Sequence, residues 1–246
     1  MSRLRLFISD NIEDEVPIYI SKEDIHYLKN VLKVRNNEEI KIFNKDCGEW
    51  ISEINIVSKD KIYLLPKKLL KLYEKKSYKI SLSFSLLKRT NNNIVIQKAT
   101  ELNVSSIFPI ITDRSIVRSF NSNKFKLIAK EASEQCGRLE IPEINNLSNI
   151  DEILKLYVGK KNIIICNNQD SSTRLDLIDN KIDYSMDSLV LIGPEGGFSS
   201  KELDLIKSYK DIYSVSLGNL VLRSETAVIS SLYMINTFYE KNDAKY

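Results

Sequence analysis

The stretch that decides the fold is residues 188–227, SLVLIGPEGGFSSKELDLIKSYKDIYSVSLGNLVLRSETA. The chain has only 7 glycines, and Gly193, Gly196, Gly197 and Gly218 all lie here. Glycine admits left-handed backbone and close approach to a ligand, and here it twice follows an apolar run. Residues 189–192, LVLI, read as a buried strand broken by Gly193-Pro194-Glu195-Gly196-Gly197. Residues 213–217 read as a second strand, broken by Gly218-Asn219. A helix follows each break. Ser199 or Ser200 is the candidate cap of the first, with Glu202 in its first turn, and Ser224 that of the second. The pattern predicts a ligand crevice at the carboxyl ends of parallel strands, with two ordinary tight turns as the competing reading. GPEGG is neither GxGxxG nor GxxxxGK[ST], so the two common phosphate cradles are absent.

Outward from this stretch, strands alternate with helices. Residues 79–87, 104–111 and 162–166 read as strands, and 92–102 and 124–136 as helices, which predicts an α/β domain with a parallel sheet. The first 73 residues differ. Runs at 4–8, 17–20, 39–43, 50–56 and 61–66 have β-branched or aromatic content. One helix interrupts them: Ser21 and Asp24 resemble a capping box, and Ile25, Leu28, Val31 and Leu32 follow at helical spacing. This predicts a small barrel. Residues 66–78, PKKLLKLYEKKSY, read as a Lys-rich linker, so the boundary is placed near 73, giving domains 1–73 and 74–246.

At 246 residues with a net charge of +3, the chain is neither strongly basic nor acidic. Charges are balanced in both halves, although Lys59, Lys61, Lys67, Lys68, Lys71, Lys75 and Lys76 form a local cluster. That cluster is either a phosphate-contacting surface or a solvated face. No apolar run reaches the ~20 residues that span a bilayer, and the N-terminal residues lack the apolar core of a signal peptide. A cytoplasmic protein without membrane contact is expected. Cys47, Cys136 and Cys166 match neither a disulfide framework nor a metal motif, so no metal is expected. His26 is the only histidine, which excludes a histidine-centred mechanism in the C-terminal half.

Arg223 and Glu225 flank the start of the last helix, beside backbone N–H groups that have no helical partner. They form either a site or a simple salt bridge. With no Ser-His-Asp triad, metal cluster or activated cysteine in view, group transfer from a bound cofactor remains. The last helix carries an apolar arc wide enough for burial on two sides: Ala227, Ser230, Ser231, Met234, Ile235 and Phe238 on one face, with Val228, Ile229, Leu232 and Tyr239 adding apolar surface beside it. A two-fold homodimer through this helix and burial wholly within one chain are the two readings.

LIGPEGGFS and LGNLVLRSETA together closely resemble the cofactor loops of the SPOUT methyltransferases. Within them the chain is similar to the family that methylates N3 of a uridine in 16S ribosomal RNA of the small ribosomal subunit. Further blocks carry the same resemblance: residues 26–34, HYLKNVLKV; Lys88; QKATEL at 97–102; Arg114-Ser115 and Arg118; and EASEQCGR at 131–138. Lys33 stands where the family usually has Arg, Asn103 where it has Gly, and Phe125 where Trp is frequent. Lys33 keeps the charge but not the bidentate fork, and Asn tolerates positive φ better than most residues.

The resemblance implies a PUA-like β-barrel followed by a SPOUT α/β domain with a C-terminal trefoil knot, and S-adenosylmethionine as cofactor. Its cofactor positions fall on Leu191, Ile192, Gly193, Pro194, Glu195, Gly196 and Gly197 in the first loop. In the second they fall on Leu217, Gly218, Leu222, Thr226 and Ala227. A side chain at Gly196 or Gly218 is expected to obstruct the ligand or strain the turn. RNA contact is implied for His26, Lys33, Arg35, Lys88, Arg118, Gln135 and Arg138, with a structural role inside the barrel preferred for His26. Arg223 is the expected stabiliser of negative charge on the uracil oxygens, and Glu225 orients it or accepts the proton.

Overall fold

The computed structural model describes residues 4–88, 90–167 and 173–243. Contacts divide the chain into two compact units. One comprises Met1–Lys75 with Ser133–Glu140, the other Lys76–Ala132 with Ile141–Tyr246.

In the first unit, β1 (Arg5–Phe7), β2 (Ile18–Tyr19), β3 (Glu39–Asn44), β4 (Gly48–Ser58) and β5 (Lys61–Lys71) form one sheet in the order β1-β3-β4-β5-β2. The strands alternate, and Leu6, Ile40, Ile42, Ile54, Ile62 and Leu64 point into one core. Helix α1 (Lys22–His26) starts at Ser21, whose hydroxyl accepts the Asp24 amide, and the chain continues as one wide turn over Tyr27–Val31. Ile25 and Leu28 from this segment join the core. The expected linker from Pro66 is instead the second half of β5. It pairs with β4 as far as Lys71 opposite Glu49, across two β4 register shifts. The strand was not legible because residues beyond Pro66 are exposed on both faces. Gly48, where β4 begins, has φ +81, and a Cβ there would sit 2.3 Å from the Lys71 carbonyl oxygen.

Residues Ser133–Glu140 belong to this unit because of Arg5. Its guanidinium donates to the carbonyls of Ser133 (2.7 Å), Glu134 (3.1 Å) and Arg138 (3.0 Å) and to the Glu49 carboxylate (2.6 Å). The Glu134 carboxylate in turn accepts the Phe7 amide at 3.1 Å. Carbonyls in the last turn of a helix have no partner within it, and a cation there also meets the negative end of the helix dipole.

The second unit contains β6 (Ile80–Ser85), α2 (Thr90–Glu101), β7 (Ser106–Ile111), most of α3 (Ser122–Cys136), β8 (Glu143–Ile144), β9 (Ser148–Asn149) and α4 (Ile150–Tyr157). After these come β10 (Asn162–Cys166), β11 (Thr173–Arg174), β12 (Ser188–Ile192), α5 (Ser200–Ser208), β13 (Ile212–Ser216) and α6 (Ser224–Asp243). The sheet runs β11-β13-β10-β12-β6-β7-β8, with β9 also on β7, and every pairing is parallel. β6 and β12 are buried at every residue, as strands covered on both faces must be. On one face Leu82, Phe84, Val190 and Ile164 pack against α2 and α6 through Val95, Ile96, Val228 and Leu232. On the other, Ile163, Leu189 and Leu191 pack against α4 and α5 through Ile153, Leu154 and Ile206. The sequence reading did not place α4, a helix of 8 residues with too few turns to show a period. Its signal was the cap: Asn149 accepts the Glu152 amide and the Glu152 carboxylate accepts the Asn149 amide. Asn103 closes α2 with φ +61, as its place in the family pattern implied.

Candidate functional site

β13, β10 and β12 lie side by side and parallel, so their carboxyl ends open on one edge. Each continues into a loop that reaches the same cavity of about 460 Å³. Cys166 and Asn167 come from the end of β10. Ile192, Gly193, Pro194, Gly197 and Phe198 come from the first glycine turn, and Leu217, Val221 and Leu222 from the second. Ser200 and Leu203 of α5, Ser224 and Ala227 of α6, and Arg114 after β7 complete the lining.

The first turn is closed by the Gly197 amide donating to the Pro194 carbonyl at 2.9 Å, with Gly197 at φ +67. α5 then starts at Ser199, whose hydroxyl accepts the Glu202 amide while the Glu202 carboxylate accepts the Ser199 amide. Ser224 does not act as the expected cap. It is the first residue of α6, and its buried hydroxyl donates to the Gly193 carbonyl at 3.2 Å. The start of α6 is thereby tied to the first glycine turn. Arg114 Nη1 donates to the Gly196 carbonyl at 2.7 Å and fastens the same turn from the β7 side.

Of the expected cofactor positions, Ile192, Gly193, Pro194, Gly197, Leu217, Leu222 and Ala227 line the cavity. Leu191 is buried behind it, in the core on the α4 and α5 face. Glu195, Gly196 and Thr226 are exposed, and Gly218 sits at φ +128 beside Leu217. Gly193 is the sterically tight glycine: a Cβ there would lie 3.1 Å from the Phe198 ring. A Cβ on Gly196 would meet only the Arg114 side chain within the chain, in ordinary contact at 3.5 Å. Sequence reasoning missed Arg114, Cys166, Asn167, Phe198, Ser200, Leu203, Val221 and Ser224 as lining residues. Cys166 and Asn167 carried a usable signal, since they end a buried strand just as Ile192 does.

Among the described residues, Arg114 is the only charged side chain in the lining. Burial pushes the Cys166 thiol up to about 12, against a hydrogen bond with Ser231, so the thiol is neutral at ordinary pH and unsuited to nucleophilic work. Arg223 is exposed and Glu225 half-buried, both beside lining residues without lining the cavity. They form no ion pair with each other, which removes the simple salt-bridge reading. Among the described residues no group of His, Cys, Asp and Glu is placed to hold a metal, and no helix is long and apolar enough to cross a membrane.

The residues expected at RNA divide between the units. His26, Lys33 and Arg35 are exposed on the first unit, and Lys33 ends its turn at φ +53. His26 makes no side-chain hydrogen bond among the described residues, so the preferred structural role is not seen. Gln135 is exposed in the segment held by Arg5. The Arg138 side chain is only 7% exposed, and its guanidinium lies 3.4 Å from Glu140. Burial lowers its pKa, against the pull of Glu140. Lys88 and Arg118 are exposed on the second unit.

Comparison with known proteins places this geometry. The family described as RNA methyltransferase domain matches residues 74–236, and the RNA methyltransferase PUA domain matches residues 20–67. The chain belongs to the RNA methyltransferase family. It is 30% identical to the ribosomal RNA small subunit methyltransferase E of Rickettsia conorii, over 94% of each chain. The enzyme of the same name from Bacillus subtilis is 25% identical over 96% of each. A candidate methyltransferase of Legionella pneumophila, solved in complex with SAM, superimposes with a TM-score of 0.85 at 27% identity, covering 96% of this chain and 98% of the other.

Proposed function

We propose that this member of the RNA methyltransferase family transfers a methyl group from S-adenosylmethionine to N3 of a specific uridine in 16S ribosomal RNA of the small subunit. The observation that carries the reading is the cavity at the carboxyl ends of β10, β12 and β13. It lies within the matched methyltransferase domain, and the relatives named above act on small-subunit RNA or were solved with SAM. The trefoil knot of the SPOUT domain, through the segment that carries both glycine turns, belongs to the same reading.

The cavity suits the cofactor chemically. Gly193 keeps the floor clear beside Phe198, and Gly218 holds a backbone angle that L side chains rarely adopt. Backbone groups of Ile192, Leu217 and Leu222 are then available to the edge of an adenine, and Arg114 to a carboxylate. When bound, S-adenosylmethionine supplies a methyl group already activated on a sulfonium. The chain therefore needs no nucleophile of its own. Its task is to hold a uracil that has lost its N3 proton. Arg223 is proposed to face the charge that spreads onto O2 and O4, and Glu225 to orient Arg223 or accept the proton. The Arg223 side chain is free to do so, having no partner among the described residues.

His26, Lys33, Arg35, Lys88, Arg118 and Gln135 are proposed as RNA contacts on the strength of their exposure. Arg138, the seventh expected contact, is proposed to act as a packed residue beside Glu140. α6 is proposed as a two-fold dimer contact, because Ile229 and Tyr233 leave apolar surface at 37% and 65% exposure. The enzyme is proposed to work in the cytoplasm.

Two measurements test the function. Titration calorimetry should show S-adenosylmethionine binding to the purified chain. A nucleoside digest of 16S rRNA from a deletion strain should lack one N3-methyluridine. Loss of a 2′-O-methyl or an N1-methyl nucleoside instead would keep the enzyme class and overturn the target atom.

A further inference from the structure

A second cavity, of about 500 Å³, opens in the same unit at the carboxyl ends of β7 and β9. The loop after β7 separates it from the first cavity: Arg114 lines one, while Thr112, Asp113 and Arg118 line the other. The first turn of α5 is shared in the same way, with Ser200 and Leu203 in the first cavity and Glu202 in the second.

The partition is held on all sides. The hydroxyls of Ser85, Thr112 and Ser115 form a buried triangle with edges of 3.0, 2.7 and 2.8 Å. The Asp113 amide donates to Glu202 at 2.9 Å, and the Ser199 hydroxyl donates to Asp113 at 2.5 Å. Arg114 holds the Gly196 carbonyl. A ligand in the second cavity would therefore sit at a fixed place beside the cofactor cavity.

The lining limits what that ligand is. Ile111, Leu147 and Ile150 give an apolar surface. Asp113, Glu152 and Glu202 also line it, and each already accepts a hydrogen bond from a backbone amide or a serine hydroxyl. Three carboxylates disfavour a phosphate. Arg118 is the one cation, exposed and without a hydrogen bond or ion pair among the described residues. An apolar wall, carboxylates able to accept N–H groups and one planar guanidinium suit a neutral heterocycle with carbonyl and amino edges.

We propose that the second cavity receives one unstacked base of the RNA substrate, a neighbour of the base that is methylated, with Arg118 at its edge. This rests on the RNA methyltransferase reading above and adds to it a base-recognition site separate from the cofactor cavity.

The test uses the full chain and unmodified 16S rRNA, free and in small subunits. Arg118→Ala removes the cation, and Ser148→Phe narrows the cavity at a residue whose side chain makes no described hydrogen bond. Each should raise KM for RNA about tenfold, the size of one base contact, while affinity for S-adenosylmethionine stays at the wild-type value. Arg118→Ala should also leave the salt dependence of RNA binding unchanged. A fall of about 0.7–0.9 in the slope of log affinity against log salt would identify a lost phosphate contact and overturn the base assignment. Wild-type KM in both variants would overturn the site, as would loss of cofactor affinity in Arg118→Ala. If Ser148→Phe alone loses the cofactor, its fold is disturbed and Arg118→Ala decides. A wild-type chain that methylates no RNA would instead refute the functional reading itself.

Discussion

Gly193 is the position where one added methyl group tests the site most directly. A Cβ there would lie 3.1 Å from Cε2 and Cζ of Phe198. Carbon atoms in good contact are about 3.5–4.0 Å apart, so the ring must yield by about half an ångström. Phe198 is 5% exposed and packed in the core on the α4 and α5 face, but its ring also lines the cavity. The open side is the cavity, so that is where the ring will move. Overpacking of this kind costs about 1–3 kcal/mol, and for a domain of this size each kcal/mol lowers Tm by about 2–4 °C. Gly193→Ala should therefore melt about 2–12 °C below wild type. The same range taken from binding would weaken S-adenosylmethionine about 5- to 150-fold. Gly196→Ala is the control, because its Cβ makes ordinary contact at 3.5 Å, and it should match wild type in both measurements. Scanning calorimetry and titration calorimetry read the two quantities. The reasoning fails if Gly193→Ala is indistinguishable from wild type, or if Gly196→Ala is the more damaging change. Adding Phe198→Leu to Gly193→Ala should recover part of the lost affinity by making room for the methyl group.

Arg223→Ala should keep cofactor and RNA binding but lose about 10²–10³ in kcat, with Arg223→Lys restoring only part; near-normal kcat with weakened RNA binding would make Arg223 an anchor instead. Tyr233→Asp is a cleaner test of the dimer than Met234→Asp, because Met234 packs against the chain's own core while Tyr233 is 65% exposed. Light scattering should give twice the chain mass for wild type and a folded monomer for Tyr233→Asp, and a monomeric wild type refutes the contact. The half-buried Cys166 thiol, held near 12, keeps its proton where the unfolded thiol, near 8.5, loses it. The folded state gains nothing from this below pH ~8.5 and loses stability as pH rises from there toward 12, by up to ~1.4 kcal/mol per unit. Cys166→Ala should flatten that part of the urea-unfolding profile between pH 8 and 10, and an unchanged slope would refute the assignment.

The parts of the fold that were legible in the sequence are those set by neighbours within a few residues. The apolar run Ser188–Ile192, the caps at Ser21 and Ser199 and the breaks at Gly193 and Gly218 depend on local sterics and on hydrogen bonds across one turn. The same locality explains the misses. The outer half of β5 is held by pairing to β4 with no buried face, so no period marks it. Ser224 has the side chain of a cap, but its hydroxyl donates to a carbonyl 31 residues away.

By itself the sequence determined the α/β class and the two glycine turns. Tertiary structure decided which residues share a cavity. The order β13-β10-β12 sets Cys166 and Asn167 between the two glycine turns, and the loop after β7 brings Arg114 to Gly196 across 82 residues. Arg5 likewise reaches the carbonyl of Ser133, 128 residues away, and draws the Ser133–Glu140 segment into the first unit. Parallel strands are joined by long crossovers, so their order is fixed by burial of both sheet faces and not by spacing along the chain. A one-dimensional pattern records which face of a strand is apolar, but not which strand lies beside it.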